Sequence, residues 1–166
     1  MEELLNYGTF CVSSRQRERF ASGELWQQWG SAYPFLFDED DLRLVKNQAD
    51  GGYHFYEWLA AILIYHSTGY LSLIEKYQSE NHKHKKEILR AINSPLLNHA
   101  LLLRDNDRAV VCPDLLVYSP DFSDWFFCEV KGGKDRVRKT QEQDHRALYN
   151  LIRRPIRLIY FKTLER

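Results

Sequence analysis

The sequence predicts an α/β domain whose first half is helical and whose second half runs strand, strand, helix, strand. Three observations carry that reading. The run YHFYEWLAAILIYHSTGY, Tyr53 to Tyr70, is apolar on nearly every face, as a centrally buried helix is. From Arg108 the period changes to short β-rich runs, AVVCPDLLVY, WFFCEVK and IRLIYF, with the helical TQEQDHRALYNLIRR before the third. A chain of 166 residues with 44% hydrophobic and 14% aromatic content can build one sizeable core and fits no disordered class. A single domain over 1–166 is expected.

Along the chain, residues 1–50 read as a helical N-terminal extension. Ser13 and Ser14 can cap RQRERFASGELWQQWG, and the acids of DEDD at 38–41 suit the positive end of a second helix before LRLVK. That run lacks the glycine and downstream Glu of a calcium loop. After DGG at 50–52, the apolar helix ends at Gly69, a helix-stopping residue. Glu57 is the only charged residue between Phe55 and Tyr65, so its carboxylate needs a helix edge or a cation. The segment of about 71–107 alternates charge and apolar residues and reads as a helical insertion with no clear strand; Leu97 to Leu103 is the one candidate for a strand there, though its spacing reads as helix, and Ser94-Pro95 is a break or a new helix start. His82 and His84, two apart, point in different directions on a helix and fit a solvated basic face better than zinc.

Bulk properties narrow the function classes. A formal net charge of +0 gives no global attraction to nucleic acid, so binding of that kind requires a local patch. Three cysteines with no CxxC suit a reducing compartment, and MEELLNYGTF lacks a basic n-region with an apolar core; the expectation is cytoplasmic, with no membrane association. Cys112 and Cys128 read as small buried apolar side chains, and Trp26, Trp29, Trp58 and Trp125 as core.

The chemistry concentrates in PDLLVYSPDFSDWFFCEVKGGKDRVRKTQ, Pro113 to Gln141. On WFFCEVK, Glu129 and Lys131 project from one face and Cys128 and Val130 from the other. If the two strands pair through the SPDFSD turn, Asp114 comes close to Glu129, and two such carboxylates repel unless a divalent cation sits between them; oxygen donors favour magnesium or manganese. On charge alone, Asp114→Asn or Glu129→Gln is then expected to relieve repulsion in the metal-free protein. Gln141, His145, Leu148 and Ile152 share one helical stripe, so Gln141 points toward the carboxylates while His145 reads as a packing or phosphate-proximal residue. An isolated ExK would be a plain ion pair on a strand; the neighbouring Pro-Asp strand, the basic loop KGGKDRVRK and Gln141 give it a different context.

Asp114, the EVK of 129–131, Asp135 and Gln141 resemble the PD-(D/E)xK nuclease superfamily, and within it the VRR-NUC group, over roughly Arg108 to Phe161. The resemblance implies a restriction-endonuclease-like αβββαβ core, here with the N-terminal extension and an insertion before the Pro-Asp strand, and Glu57 as the first-helix acid. It implies that Asp114, Glu129, the Val130 carbonyl and Glu57 hold Mg²⁺ or Mn²⁺, that Lys131 serves the attacking water and the phosphate, and that Gln141 positions water or ligand. Lys134, Arg136, Arg138 and Lys139 would grip the DNA backbone, with Asp135 fastening the loop. The expected function is metal-dependent hydrolysis of DNA phosphodiesters, structure-specific on branched or flapped DNA, by a homodimer or within a larger DNA-processing complex. The alternative is an inactive nuclease-fold subunit that binds nucleic acid or a protein partner.

Overall fold

The computed structural model describes residues 4–78 and 82–164. It is a mixed α/β fold. Among the described residues are seven α-helices, a five-stranded mixed sheet and a small two-stranded hairpin. In chain order the elements are β1 (Leu4–Ser13), α1 (Ser14–Ala21), α2 (Glu24–Ala32), α3 (Glu39–Gln48), a single 3₁₀ turn (Ala49–Gly51) and α4 (Phe55–Thr68). Then follow β2 (Leu71–Ile74), α5 (Lys83–Ile92), α6 (Pro95–Leu101), the hairpin β3 (Arg104–Asp105) and β4 (Arg108–Ala109), β5 (Leu115–Tyr118), β6 (Trp125–Gly132), α7 (Lys139–Ile152) and β7 (Ile156–Leu164).

The sheet order is β1-β7-β6-β5-β2. β2 and β5, and β5 and β6, pair antiparallel; β6 and β7, and β7 and β1, pair parallel. Strand alternation sends Leu115, Val117, Phe126, Cys128, Val130, Ile159 and Phe161 into a core shared with α4. Leu73, Leu116, Tyr118, Trp125, Phe127 and Ile156 face a second core with α6 and α7. The sheet is thus covered on both sides, which explains why β5 and β6 are almost continuously apolar.

Several local expectations hold. Ser13 caps α1 in a reciprocal box with Gln16, Asp38 caps α3 in the same way with Asp41, Ser94 caps α6 with Pro95 behind it, and Gly69 ends α4 at φ 75°. Trp58 is buried and stacks on Phe37 with ring centroids 3.7 Å apart.

Two expectations are corrected. The N-terminal extension is not wholly helical, because Leu4–Ser13 forms β1 on the sheet edge, parallel to β7. A bulge between Asn6 and Gly8 interrupts its register, Gly8 takes φ 153°, and Phe10 and Val12 then turn to the core that α4 covers. The insertion does contain a strand: Leu71–Ile74 follows directly on α4 and pairs with Leu115–Tyr118. Four residues are too short to show a period of two, and they abut an apolar helix. Leu97 lies, as its spacing suggests, in a helix.

The supposed solvated face of α5 also carries a surprise. Lys85 is only 2% exposed, donates to Asp41 Oδ1 at 2.8 Å and to the carbonyls of Ile74 and Glu75 at 2.7 and 3.1 Å, and so ties α3 and α5 to the end of β2. Burial pushes the Asp41 carboxyl up to about 6 against the pull of Lys85. His82 reaches Asp40 at 3.2 Å. Among the described residues no helix is long and apolar enough to cross a membrane.

Close packing joins α4 to β6. A Cβ at Gly132 would lie 2.2 Å from the Tyr56 ring, which also stacks on Phe161 at 5.5 Å. Gly132→Ala is therefore expected to lower stability by about 1–3 kcal/mol through overpacking, read as a drop in melting temperature.

Candidate functional site

The second half of the chain brings its carboxylates together just before β5 and along β6. Asp114 is fixed from three directions. The Tyr77 hydroxyl donates to the carbonyl of Pro113 at 2.5 Å, the Glu75 amide donates to the Asp114 carbonyl at 2.9 Å, and Asp114 Oδ2 accepts the Val130 amide at 2.8 Å. The Pro-Asp step thus leaves the ladder just where its side chain can bond the backbone of β6. Burial, and then repulsion from Glu129 and Glu57, hold the Asp114 carboxyl well above the usual carboxylate range despite the Val130 bond.

Glu129 and Lys131 lie on the α7 face of β6, 2% and 3% exposed. Glu129 Oε1 accepts from Lys131 Nζ at 2.8 Å and from Gln141 Nε2 at 2.7 Å, and Oε2 lies 3.5 Å from His145 Nε2. Burial works to raise the Glu129 carboxyl, yet its bonds with His145 and Lys131 outweigh that and hold it below its ordinary value. Burial likewise opposes the charge of Lys131, and Glu129 overrides it, keeping the ammonium above its ordinary value. Gln141 completes the cluster: its Oε1 accepts from Lys131 Nζ at 3.1 Å and from the Arg138 amide at 3.0 Å. The stripe Gln141, His145, Leu148, Ile152 packs as its spacing suggests, with the last three buried.

Glu57 sits in the first turn of α4, half-buried. Burial, followed by repulsion from Glu75 and with a smaller contribution from Glu129, pushes its carboxyl up to about 7. Electrostatics therefore links Glu57, Asp114 and Glu129, although they come from three elements.

Around the cluster, Lys134, Arg136, Arg138 and Lys139 are all exposed on the loop and the first residue of α7. Asp135 fastens that loop: its Oδ1 accepts the Arg136 amide at 2.9 Å and its Oδ2 lies 3.5 Å from Lys131 Nζ. Val130, between Glu129 and Lys131, presents its amide to Asp114 and its side chain to the α4 core.

Sequence reasoning missed two residues beside this group. His54, the residue before α4, has φ 74° and is buried; its Nε2 is 2.6 Å from Gln48 Oε1 and its Nδ1 is 3.0 Å from Glu75 Oε2. Glu75, at φ 45°, faces Glu57 electrostatically and bonds the Asp114 backbone. Two non-glycine residues in the left-handed region beside the same acids mark a place where the fold holds strain. The signal available in the sequence was faint: DGGYH before the apolar helix, and an acid just after it.

Oxygen donors on this scale fit a hard divalent cation. As they stand, Glu129 gives its oxygens to Lys131, Gln141 and His145, and among the described residues no three His, Cys, Asp or Glu side chains form a ready ligand set. Comparison with protein-family models, with curated proteins and with solved structures gave no match.

The raised acids make stability depend on pH with a definite sign. Glu57 keeps its proton in the folded chain up to about 7, against 4.5 ordinarily, so its contribution is fully present below 4.5 and is lost as pH rises through 7. The loss is at most about 3 kcal/mol. Asp114 acts in the same direction, whereas Glu129, with its lowered value, loses its contribution as pH falls. In chelator, the chain is expected to melt lower at pH 8 than at pH 5.5, and Glu57→Gln should flatten this difference; thermal melts across that range check it.

Proposed function

We propose that the chain is a Mg²⁺- or Mn²⁺-dependent deoxyribonuclease of the PD-(D/E)xK type, similar to the VRR-NUC group. One observation carries the reading. Glu129, Lys131 and Gln141, picked out with Asp114 by their order in the sequence, meet from β6 and α7 in one hydrogen-bonded cluster; Asp114, just before β5, bonds the Val130 amide between Glu129 and Lys131, and its carboxyl is repelled by those of Glu129 and Glu57. The element order α4-β2-β5-β6-α7-β7 supports it too, since this is an αβββαβ succession with β2 as the strand between first helix and Pro-Asp strand, α5, α6 and the β3–β4 hairpin being inserted. The N-terminal part adds β1 to the sheet and α1–α3 to its α4 face.

In this reading Asp114, Glu129, the Val130 carbonyl and Glu57 would hold the cation. Bound there, it would neutralise phosphate charge and lower the pKa of a water. To bind it, Glu129 would have to turn an oxygen away from its present partners, and Asp114 and Glu57 would carry charge against the burial and repulsion that disfavour it. Lys131, released from part of its pairing with Glu129, donates to the attacking water or to the phosphate oxygens. Gln141, bonded to both Glu129 and Lys131, would keep those two in register. Lys134, Arg136, Arg138 and Lys139 hold backbone phosphates, which position a strand without reading its sequence.

The test is cleavage of flapped, branched, single-stranded and duplex DNA with Mg²⁺, Mn²⁺ and chelator. A folded chain that cuts none of them overturns the reading. The engagement of every Glu129 oxygen favours one other reading, an inactive nuclease fold that binds nucleic acid or a partner; calorimetry with Mn²⁺ separates them, because a binding-only module takes up no metal through Asp114. Light scattering decides whether the chain forms a homodimer by itself or needs a larger complex to associate.

A further inference from the structure

The geometry points to a second nucleic-acid contact on the N-terminal part of the chain, one that receives an unpaired, single-stranded flank of the DNA beside the proposed cleavage site. This inference rests on the nuclease reading above and concerns residues that reading leaves idle.

A cleft of about 250 Å³ opens between α1 and the start of α4, lined by Ser14, Arg17, Glu18, Phe20, Gly52 and Phe55. It lies beside the same helical turn that bears Glu57. Arg17 is exposed and its guanidinium lies 5.3 Å from the centroid of the Tyr56 ring, which in turn covers Gly132, where β6 runs into the basic loop. Arg15 is exposed on the same first turn of α1. Tyr53, between the lining residues Gly52 and Phe55 in sequence, is 65% exposed, the most exposed aromatic side chain among the large exposed apolar ones of the described residues. A guanidinium, an unshielded ring and a groove form the elements with which single strands are held, the backbone by charge and the bases by stacking. A duplex has its bases already stacked and offers nothing to Tyr53. Glu18, the next residue of α1, also lines the cleft and repels phosphate beside it, so contact with the strand's backbone falls to Arg17 and Arg15.

The arrangement also gives the extension a purpose. β1 joins the sheet parallel to β7, which sets α1, starting immediately after Ser13, at the carboxyl end of the parallel strands, where β6 delivers the basic loop. A strand bound along Lys134 and Arg136 on one side and Arg17 and Arg15 on the other passes the end of β6 between them.

Binding of a labelled oligothymidine and of a labelled blunt duplex, followed by anisotropy in chelator over a salt series, tests this with the full chain. Arg15→Ala with Arg17→Ala is expected to weaken oligothymidine binding and to reduce its salt slope by about 1.4, two single-strand phosphates. Tyr53→Ala should weaken it about fivefold or more, and Arg17→Lys should bind nearly as the unchanged chain. Blunt-duplex binding, Mn²⁺ uptake and melting temperature should stay as they were. Unaltered oligothymidine binding by the Ala variants, or an equal loss on the duplex, overturns the inference. If the unchanged chain binds and cleaves DNA while the variants match it, only this inference fails; if it binds neither probe, the nuclease reading falls with it.

Discussion

Asp114→Asn is expected to give a folded protein that cleaves DNA at least about 10²-fold more slowly than the unchanged chain. The geometry says why the fold survives. Asp114 accepts the Val130 amide at 2.8 Å, and an asparagine carbonyl can accept it equally well. The carboxyl is held well above its ordinary range by burial and by Glu129 and Glu57, so the metal-free protein is already strained by any charge at this position. The variant should therefore melt at or above the unchanged chain at pH 8 in chelator, and fail to gain stability from Mn²⁺ when the unchanged chain does. Glu129→Gln behaves differently. Charge alone suggests that it too relieves repulsion, but Glu129 is held below its ordinary value by His145 and Lys131, and Oε1 accepts from Lys131 and Gln141 at once. Its amide group would meet donors, and removing one partner of a buried pair costs about 3–5 kcal/mol. Glu129→Gln should thus lose both activity and melting temperature. A normal rate in either variant with Mg²⁺ places the chemistry elsewhere.

The contrast between these two acids shows how far the sequence reaches. The residue pattern put Asp114, Glu129, Lys131 and Gln141 in one group because strand alternation and helix spacing are periodic and survive burial. Glu57 was legible for a related reason, as a lone charge in an apolar helix. What the pattern could not give was which partner each carboxylate takes. Asp114 bonds a backbone amide and Glu129 three side chains, and those choices depend on how α7 sits against β6. His54 and Glu75 stayed invisible because their role depends on left-handed backbone at the ends of α4 and β2, and neither is a glycine that would advertise it. β1 was hidden by a bulge at Gly8 that breaks its alternation, and β2 by its length of four residues. Lys85, in a run of cations, looked solvated; its burial is set by Asp41, 44 positions earlier.

Lys131→Met asks whether the lysine acts on the reaction or only balances Glu129. Methionine keeps most of the apolar stem in a site that is 3% exposed, so the strand should still pack, while the ammonium that reaches Glu129 at 2.8 Å, Gln141 at 3.1 Å and Asp135 at 3.5 Å is lost. Glu129 then keeps Gln141 and His145 but loses its cation, and breaking such a pair costs about 3–5 kcal/mol. The melting temperature should fall under either role, which removes stability as the discriminator. Mn²⁺ should return part of that loss, since a cation bound by Glu129 replaces the missing charge. Rate decides the question. Measured in single turnover well below the lowered melting temperature and at saturating metal and DNA, the variant is expected to be about 10²–10⁴-fold slower, the range for a group that assists a proton or stabilises charge in the transition state. If Lys131 is only the counter-ion of Glu129, the metal-loaded variant cuts at nearly the normal rate once folded, because the cation has already taken over that part. An unimpaired rate under those conditions removes Lys131 from the mechanism and leaves Asp114, Glu129 and Glu57 as the groups that carry it.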